Sequence, residues 1–417
     1  MNRPILSAAV VVLVIAMLAP EVAGSSEHTP LLHRGINTFP WLHRARTLDN
    51  DSKTFDFDHP FPYLNAYRPE HFDRLRKAGA DFIRVPVEVG PFAAADGRVR
   101  AALIATLMDQ LRKITDQGLT AILDPHPREG VPAWSTNTIL SATDTEQRYQ
   151  GMLLDFSRAI EQLGDQKIVL ELMNEPPGGY SWHDKVDWRP FQSQLVKAIR
   201  AVAPQLPLIL TGDRGGGIDG LLRLDPTTLD DGDIIYSIHY YDPMIVTHQG
   251  ATWTSEAWRQ YVSGIAYPAS PDDLKPSLKR VHDAIFSDNI SDASKESLWS
   301  HAQVALRDYY ASHFGIENIR ADFERVSQWA AEHKIPKRRI LLGEFGIYRP
   351  GASHETDVNY THDVRTVAEE AGFAWSYWNY TPNDDSKQSF SILRMQDPGR
   401  NEFDPDITVR GLGWHMP

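Results

Sequence analysis

Cysteine is absent from all 417 residues of the chain. Disulfide frameworks, thiol nucleophiles and cysteine-ligated metals are therefore excluded, and the folded chain depends on its hydrophobic core for stability. An excess of basic residues is also lacking, because 42 Lys and Arg face 55 Asp and Glu and give a formal charge of −13. A chain this acidic is repelled by phosphate backbones, so we expect no nucleic-acid partner.

Long apolar runs are missing too, apart from one that extends from Ile5 to Ala19. Arg3 precedes this run, Pro20 ends it, and Val22-Ala23-Gly24 places small residues where signal peptidases cleave. The run is shorter than the ~20 residues that a spanning helix needs, which disfavours the alternative of a retained membrane anchor. We expect a signal peptide over residues 1–24 and a secreted or periplasmic protein, cleaved near Gly24 and without stable membrane insertion.

Eight short apolar stretches rich in β-branched residues are spread along the rest of the chain. Near-continuous hydrophobic runs are typical of parallel strands that are buried on both faces. The eight stretches are Leu31–Phe39, Phe82–Val89, Thr120–His126, Ile168–Pro176, Leu206–Asp213, Asp233–Tyr241, Arg339–Gly346 and Phe373–Tyr380.

Helical periodicity separates most of these predicted strands. The amphipathic segments are Pro69–Gly79, Val99–Gly118, Tyr149–Gly164, Trp188–Ala203, Asn318–His333 and His362–Gly372. Alternating strands and helices indicate an α/β protein, and eight strands with none left over predict a (β/α)8 TIM barrel. A doubly wound open sheet is the alternative. We find no linker to a second module and expect one monomeric domain over residues 25–417.

A long insertion separates the sixth and seventh predicted strands, from Asp242 to about Asn318. Its aromatic residues are Trp253, Trp258, Tyr261, Tyr267 and Trp299. At the C-terminal face of a barrel, such an insertion would help to form the wall of an active site. The alternative is a packed subdomain in which these aromatic side chains are buried. A second long loop with several aromatics covers residues 40–68.

Two glutamates end two of the predicted strands. Glu175 lies near the end of the apolar run IVLELMNEP, and Glu344 lies in RILLGEFG. The C-terminal ends of barrel strands form the active site in this fold, so the two carboxyls should face each other across its mouth. Such a pair suits glycoside hydrolysis, in which one carboxyl donates a proton and the other, ionised, attacks the anomeric carbon.

Further polar and aromatic residues fall at other strand ends. They are Arg84, His126, His239, Tyr241 and Trp378. Each has an ordinary structural role available when it is taken alone: an ion pair for Arg84, a core position for His126, or packing for Trp378. Their common location at C-terminal strand ends favours a functional site.

With these residues the sequence resembles glycoside hydrolase family 5, the family that contains the cellulases, over nearly the whole mature chain. The resemblance rests on RGIN at 34–37, the Arg of IRVP, the His of DPH, NEP, HYY, GEFG and the Trp of YWNY. NEP and GEFG in this order and spacing are fairly specific, whereas the separate pieces are not.

The resemblance implies a retaining mechanism with a role for each matching residue. Glu175 would be the acid/base and Glu344 the nucleophile. Arg84 would keep the nucleophile ionised, Tyr241 would orient Glu344, and His239 would contact Glu175. Asn174 would hydrogen-bond the sugar 2-hydroxyl and His126 another sugar hydroxyl. Trp378 would form a platform under the sugar.

The chain departs from the family pattern at two places. The third-strand motif often carries further polar or histidine residues after its first His, whereas here Pro127 follows His126. The segment 242–318 is longer than in compact members.

Two other motifs suggest different chemistry, and we set both aside. Residues 215–220 match GxGxxG, but Pro226 interrupts any long helix that would follow. A metal site at His126, Asp124 and His239 is disfavoured because barrel metallohydrolases usually need His-x-His after the first strand, where this chain has Gly35-Ile36-Asn37. We therefore expect neither a metal nor a cofactor.

Three functional hypotheses remain. The first is a secreted, retaining endo-β-1,4-glucanase that hydrolyses a polysaccharide or oligosaccharide. The second keeps the chemistry but changes the substrate to β-mannan or a self-made exopolysaccharide. The third is a carbohydrate-binding barrel without catalysis, which the presence of both glutamates and all their supporting residues disfavours.

Overall fold

The computed structural model describes residues 29–49, 54–178, 186–382, 390–394 and 401–417. The predicted signal peptide over residues 1–24 lies outside these ranges. Within them, no helix is both long and apolar enough to cross a membrane.

Eight parallel strands form a closed barrel in the order β1 to β8, which confirms the predicted TIM barrel and rejects the open sheet. Each strand lies within one of the eight predicted stretches. They are β1 Arg34–Thr38, β2 Phe82–Glu88, β3 Thr120–His126, β4 Ile168–Glu171, β5 Leu208–Thr211, β6 Ile234–His239, β7 Ile340–Phe345 and β8 Ala374–Tyr380.

Apolar side chains fill the end of the barrel at which the strands begin. One buried cluster takes a residue from each of β2 to β8 and one that precedes β1: Leu32, Phe82, Ile122, Val169, Ile209, Ile235, Leu341 and Ala374. Because side chains alternate along a strand, the residues two positions further on share the same face. That next layer is small or polar and consists of Arg84, Asp124, Glu171, Thr211, Ser237, Gly343 and Ser376, with Asn37 of β1 paired to Arg84.

Because the second layer is polar where the first is apolar, the barrel has a polar interior at its C-terminal end. The side chains of Arg84, Asp124 and Glu171 have no exposed surface. Charges this deep require partners, so the layer must form a hydrogen-bonded network.

Twelve helices surround the barrel in the described part of the chain. They are α1 Pro69–Ala78, α2 Val89–Ala94, α3 Gly97–Thr115, α4 Thr136–Ser141, α5 Thr143–Leu163, α6 Trp188–Arg200, α7 Ile218–Leu221, α8 Met244–Thr247, α9 Leu274–Ser287, α10 Asp292–Ala311, α11 Ile316–Glu332 and α12 His354–Ala371. All six predicted helices are present, although α12 begins eight residues before the predicted start at His362.

The insertion between β6 and β7 contains two helices that periodicity did not predict, α9 and α10. Few of their positions are apolar and buried: Ser277, Val281 and Ile285 form the buried face of α9. The hydroxyl of Ser277 pairs with that of Tyr310 on α10, at 2.8 Å. A helix hairpin with so narrow an apolar stripe gives a weak signal in sequence.

Candidate active site

Glu175 lies just beyond β4 with its carboxyl facing the barrel mouth. Its backbone φ is +41°, a left-handed conformation that non-glycine residues adopt at a cost and that often marks functional sites. The carboxyl oxygen Oε1 is 2.9 Å from Nδ1 of His239. Desolvation by the surrounding protein raises the pKa of Glu175 to about 7, although 42% of the side chain faces the open cleft.

Glu344 lies on β7, is only 6% exposed, and has a donor on each carboxyl oxygen. The Arg84 guanidinium donates to Oε1 at 2.6 Å, and the hydroxyl of Tyr241 donates to Oε2 at 2.9 Å. Burial raises the pKa of Glu344, while His239 and Arg84 oppose that shift by favouring the charged form. Of the two glutamates, Glu344 is the one whose surroundings stabilise a carboxylate.

His239 lies between the two glutamates. Its Nδ1 is 2.9 Å from Glu175 and 3.7 Å from Glu344. Burial lowers the pKa of His239, so the ring is neutral near pH 7 and has one N–H to donate. The nearest oxygens of Glu175 and Glu344 lie within 4.8 Å of one another. This close approach resembles the spacing of about 5–5.5 Å between the carboxyl groups of retaining glycosidases.

Arg84 connects the nucleophile candidate to the rest of the polar layer. Besides Glu344, it donates to both oxygens of Glu171 at 2.7 and 3.0 Å and to Oδ1 of Asn37 at 3.0 Å. It also pairs with Asp124 at 3.0 Å. Although burial lowers the pKa of Arg84, its three carboxylates outweigh burial and raise it well above the usual value. The guanidinium is thereby held in a fixed orientation.

Three of these partners were not among the predicted site residues: Asn37, Asp124 and Glu171. Glu171 breaks the apolar run IVLELMNEP four residues before Glu175, and Asp124 lies two residues before His126. A charged residue inside an otherwise buried strand was the available signal, because such a charge requires a partner across the barrel.

His126 and Asn174 extend the network toward the substrate side. Nδ1 of His126 is 2.8 Å from Asp124, and Nε2 is 3.1 Å from Nδ2 of Asn174. Oδ1 of Asn174 accepts from Arg84 at 2.9 Å, so Nδ2 is the donor to His126. His126 must therefore accept at Nε2 and donate from Nδ1, and burial keeps it neutral by lowering its pKa. The predicted contact of His126 with a sugar hydroxyl would have to displace one of these partners.

Trp378 forms an aromatic surface beside the carboxyl pair. Its ring lies 5.4 Å from that of Phe39 and 6.2 Å from that of His126, nearly parallel to the latter. Together with Tyr241, it also packs against a buried cluster that includes Phe390. A partly exposed indole in this position suits the C–H face of a pyranose ring.

The glycines of GEFG allow β7 to approach its neighbours closely. A Cβ on Gly343 would lie 2.6 Å from Oγ of Ser237 and 3.1 Å from Nε2 of His239. A Cβ on Gly346 would lie 2.5 Å from the carbonyl oxygen of Trp378. Any side chain here would displace a predicted site residue.

All eight predicted site residues thus lie together at the C-terminal mouth of the barrel. Hydrogen bonds and ion pairs connect seven of them, namely Glu175, Glu344, Arg84, Asn174, His126, His239 and Tyr241, and Trp378 joins them by packing.

Two groups in the described ranges have the spacing of cation ligands. The first is Glu175, His239 and Glu344, and the second is His354, Asp404 and Asp406. Both oxygens of Glu344 already accept from Arg84 and Tyr241, and the guanidinium 2.6 Å away would repel a second cation. Asp404 is similarly paired with Arg349 at 2.8 Å. Neither set therefore suits a metal as well as it suits its present partners.

The GxGxxG segment at 215–220 packs backbone against backbone under the site. A Cβ on Gly220 would lie 1.8 Å from the carbonyl oxygen of Asp213, and one on Gly216 would lie 3.8 Å from Cα of Glu175. The helix that follows, α7, has only four residues. A dinucleotide needs a full helix N-terminus, so these glycines serve close packing.

The aromatic residues of the insertion divide between the two predicted arrangements. Tyr267 is buried, Tyr261 hydrogen-bonds to Asp288 at 2.5 Å, and the ring of Trp299 lies 5.1 Å from that of His282. Trp253 is 54% exposed and contacts Tyr348 edge-on at 4.7 Å. Trp253 is therefore exposed beside the Phe390 cluster, against which Tyr241 and Trp378 of the site also pack.

Comparison with known proteins gives a consistent result. The chain matches the model of the cellulase family, glycosyl hydrolase family 5, over residues 49–384. Endoglucanase 3 of Fibrobacter succinogenes is 23% identical over 84% of this chain, which spans only half (50%) of that relative's length. Endoglucanase C of Acetivibrio thermocellus is 22% identical over 76% of this chain and 88% of its own.

Solved structures share the fold. Cellulose synthase subunit Z from Clostridioides difficile superimposes with a TM-score of 0.62 at 20% identity, covering 91% of this chain and 99% of its own. Cel5A of Thermotoga maritima in complex with cellobiose superimposes with a TM-score of 0.63 at 20% identity, covering 92% of this chain and 98% of its own.

Proposed function

Because the chain belongs to the cellulase family, glycosyl hydrolase family 5, we propose that it is a retaining endo-β-1,4-glucanase. The observation that carries this proposal is the carboxyl pair in opposite environments. Glu175 has a pKa raised to about 7 by desolvation and His239 as its partner, whereas Glu344 accepts from Arg84 and Tyr241. One carboxyl is suited to carry a proton and the other to carry a charge.

In the first step, a carboxylate oxygen of Glu344 bonds to the anomeric carbon while the glycosidic C–O bond breaks. Glu175 gives its proton to the departing oxygen, so the leaving chain departs as a neutral alcohol. The product is a glycosyl ester on Glu344. Arg84 and Tyr241 hold that carboxylate in place and stabilise it when it is released.

In the second step, the ionised Glu175 takes a proton from water, and the water oxygen bonds to the anomeric carbon. The ester bond to Glu344 breaks with its electron pair, which restores the carboxylate. Both carboxyls return to their starting states. Two inversions at the anomeric carbon give net retention.

The choice of β-1,4-glucan is supported by the names of the relatives, which are endoglucanases and a cellodextrinase. The exposed ring of Trp253 beside the aromatic cluster supports a cleft that extends past the reacting sugar. A cleft that continues along the path of the polysaccharide favours cleavage of internal glycosidic bonds.

The proposal is tested with Glu344→Gln, which keeps the shape of the side chain but removes its charge. We expect turnover of carboxymethyl-cellulose to fall by ~10³-fold or more while the melting temperature and oligosaccharide binding are retained. Glu161→Gln, on the exposed face of α5, is the matched control and should keep full activity. Turnover by Glu344→Gln at the wild-type rate would remove the nucleophile assignment.

The substrate is tested with a panel of carboxymethyl-cellulose, mannan, xyloglucan and xylan. We expect the glucan to be cut fastest, with chain length falling early and the β-anomer appearing first in NMR spectra of the products. Preference for mannan would favour the second hypothesis. No cleavage of any glycan would favour a binding protein.

We also propose export through the N-terminal segment. Cell fractionation with N-terminal sequencing of the mature protein should find it outside the cytoplasm and beginning after Gly24. An intact N-terminus in the membrane fraction would instead indicate an anchor.

A further inference from the structure

Thr247 is a fully buried residue of the insertion that contacts the backbone of a site residue. It ends the short helix α8, six residues after Tyr241. Its hydroxyl donates to the carbonyl oxygen of Tyr241 at 2.6 Å. The hydroxyl of Tyr241 donates in turn to Oε2 of Glu344 at 2.9 Å. Thr247 therefore holds the backbone of the residue that donates to the nucleophile.

His248 is the other partner of the Thr247 hydroxyl. Its Nδ1 lies 3.0 Å from Oγ1 of Thr247. A threonine hydroxyl has a single hydrogen, which the carbonyl of Tyr241 accepts, so Nδ1 of His248 must be the donor in this contact. Burial, assisted by the charge of Arg259, lowers the pKa of His248 to about 4. Above that pH the ring is neutral and keeps its proton on Nδ1.

Aromatic packing restricts the ring of Tyr241. The ring of His248 meets it edge-on, with the two centroids 5.0 Å apart, and the ring of Phe390 lies 6.2 Å from Tyr241 and 5.6 Å from His248. Edge-to-face contacts of this kind are favourable and limit rotation of the phenol ring. His248 thus acts on Tyr241 twice, directly through its ring and indirectly through the hydroxyl of Thr247.

We propose that Thr247 and His248 are positioning residues for the nucleophile and act on Glu344 through Tyr241. This inference rests on the proposed function. The hydroxyl of Tyr241 has to lie within hydrogen-bonding distance of Glu344 when the carboxylate attacks and again when it is released. A donor that is aligned in advance stabilises this charge without reorganisation during the reaction. The start of the insertion would then support the chemistry as well as the wall of the cleft.

The pKa of Glu344 depends on how well Tyr241 is aligned. A hydrogen bond to a carboxylate favours its charged form, so the bond from Tyr241 holds the pKa of Glu344 down. The other charged groups that act on this pKa belong to the barrel site and are His239, Arg84, Glu175 and Asp124. A change at Thr247 leaves these groups in place. A rise in the pKa of Glu344 after such a change would therefore come through Tyr241.

The test is Thr247→Val, which keeps the shape of the side chain but removes its hydroxyl. We expect kcat/KM for an aryl cellobioside to fall roughly tenfold. The acid limb of its pH profile should move to higher pH, because a misaligned Tyr241 stabilises the carboxylate less. Thr247→Ser keeps the hydroxyl and should leave the acid limb where it is in the wild type. Thr145→Val, which removes a hydroxyl that donates to the carbonyl oxygen of Thr138 at 2.8 Å, is the matched control and should leave it there too.

The Tyr241→Phe background separates positioning from a purely structural role. It lacks the hydroxyl through which Thr247 acts, so adding Thr247→Val should lower the melting temperature but neither move the acid limb nor lower kcat/KM further. Additive losses in the double variant, or an unshifted acid limb in Thr247→Val, would overturn the proposal.

His248→Phe gives the same test with the hydroxyl of Thr247 in place, and it decides the matter if Thr247→Val does not fold. It keeps a ring against Tyr241 but removes the Nδ1 donor, so the acid limb should move in the same direction by a smaller amount; an unshifted limb would count against the proposal. If the wild-type protein hydrolyses no glycoside, the proposed function fails instead. The pKa of Glu344, followed by NMR of the 13C-labelled carboxyl, still tests the positioning in that case.

Discussion

The chain of hydrogen bonds from Asp124 through His126 and Asn174 to Arg84 determines how the amide of Asn174 points. Asp124 accepts from Nδ1 of His126, which leaves Nε2 to accept from Asn174. Reversing any one of these contacts would pair two donors or two acceptors. The network therefore specifies one histidine tautomer and one amide orientation, and Asp124 is a positioning residue for both.

Replacing Asp124 with Asn tests this role. The amide can donate to Nδ1 of His126 and so favour the wrong tautomer, and it removes a negative charge that raises the pKa of Glu344. We expect kcat/KM to fall roughly 10- to 100-fold and the acid limb of its pH profile to move to lower pH. Kinetics from pH 3 to 9 measure both.

Asp116→Asn, at an exposed position just after α3, is the control for Asp124→Asn. An unchanged acid limb in Asp124→Asn, with full folding, would show that Asp124 acts only in packing.

The raised pKa of Glu175 predicts the alkaline limb of the pH profile. The protonated form is active in the first step, so kcat/KM should fall as pH rises through about 7, the pKa to which desolvation raises this carboxyl. Glu175→Ala should abolish this limb and slow poor leaving groups by roughly 10²- to 10⁴-fold. A dinitrophenyl leaving group needs no proton and should largely escape the loss; equal loss for both substrates would contradict the acid role.

Residues at strand ends could be predicted from sequence, whereas their partners could not. Glu175 and Glu344 stand out because packing alone rarely places a carboxylate at the end of a buried strand. Asp124 and Glu171 lie earlier on their strands, and their role in the site depends on ion pairs with Arg84 across the barrel. The sequence shows which residues of a strand share a face, because side chains alternate along it. It does not show which strands lie opposite each other in the barrel.

At the level of elements, the strands were more predictable than the insertion. Buried parallel strands are apolar throughout, so all eight could be found from composition, including β4, whose four residues precede NEP. Helices α9 and α10 bury only narrow stripes and pack mainly on each other. Their folding depends on tertiary contacts, which periodicity does not record.

The insertion offers a matched pair of tryptophans. Trp253 is 54% exposed and meets the ring of Tyr348 edge-on. The rings of His248 and Phe390 lie between Trp253 and Tyr241, so Trp253 suits a sugar platform at a distance from the carboxyl pair. Trp253→Ala should raise KM for cello-oligosaccharides by about tenfold, the loss of one stacking contact. The kcat for a short aryl glycoside should not change.

Trp299→Ala is the comparison, since Trp299 packs against His282 within the same insertion. It should lower the melting temperature and leave KM unchanged. If both variants raise KM equally, the fold of the whole insertion affects substrate binding. Trp253 would then not be a specific stacking platform for a sugar.

For the whole molecule, buried carboxyls predict how stability depends on pH. Burial raises the pKa of Glu88 to about 7 and that of Asp124 and Asp357 to about 6. The folded state holds these protons more tightly than the unfolded chain, so the free energy of unfolding should fall as pH rises from about 4.5 to about 7. Asp404 behaves oppositely, because Arg349 overcomes burial and lowers its pKa, so its stabilisation is lost in acid.

These opposing contributions place maximum stability on the acid side of neutrality. Thermal or urea unfolding from pH 3 to 9 should show a maximum near pH 4 to 5. Glu88→Gln removes the group with the highest of these buried pKa values and should flatten the decline up to pH 7 by on the order of 1–3 kcal/mol. An unchanged slope in Glu88→Gln would show that the pKa of Glu88 is not raised in the folded protein.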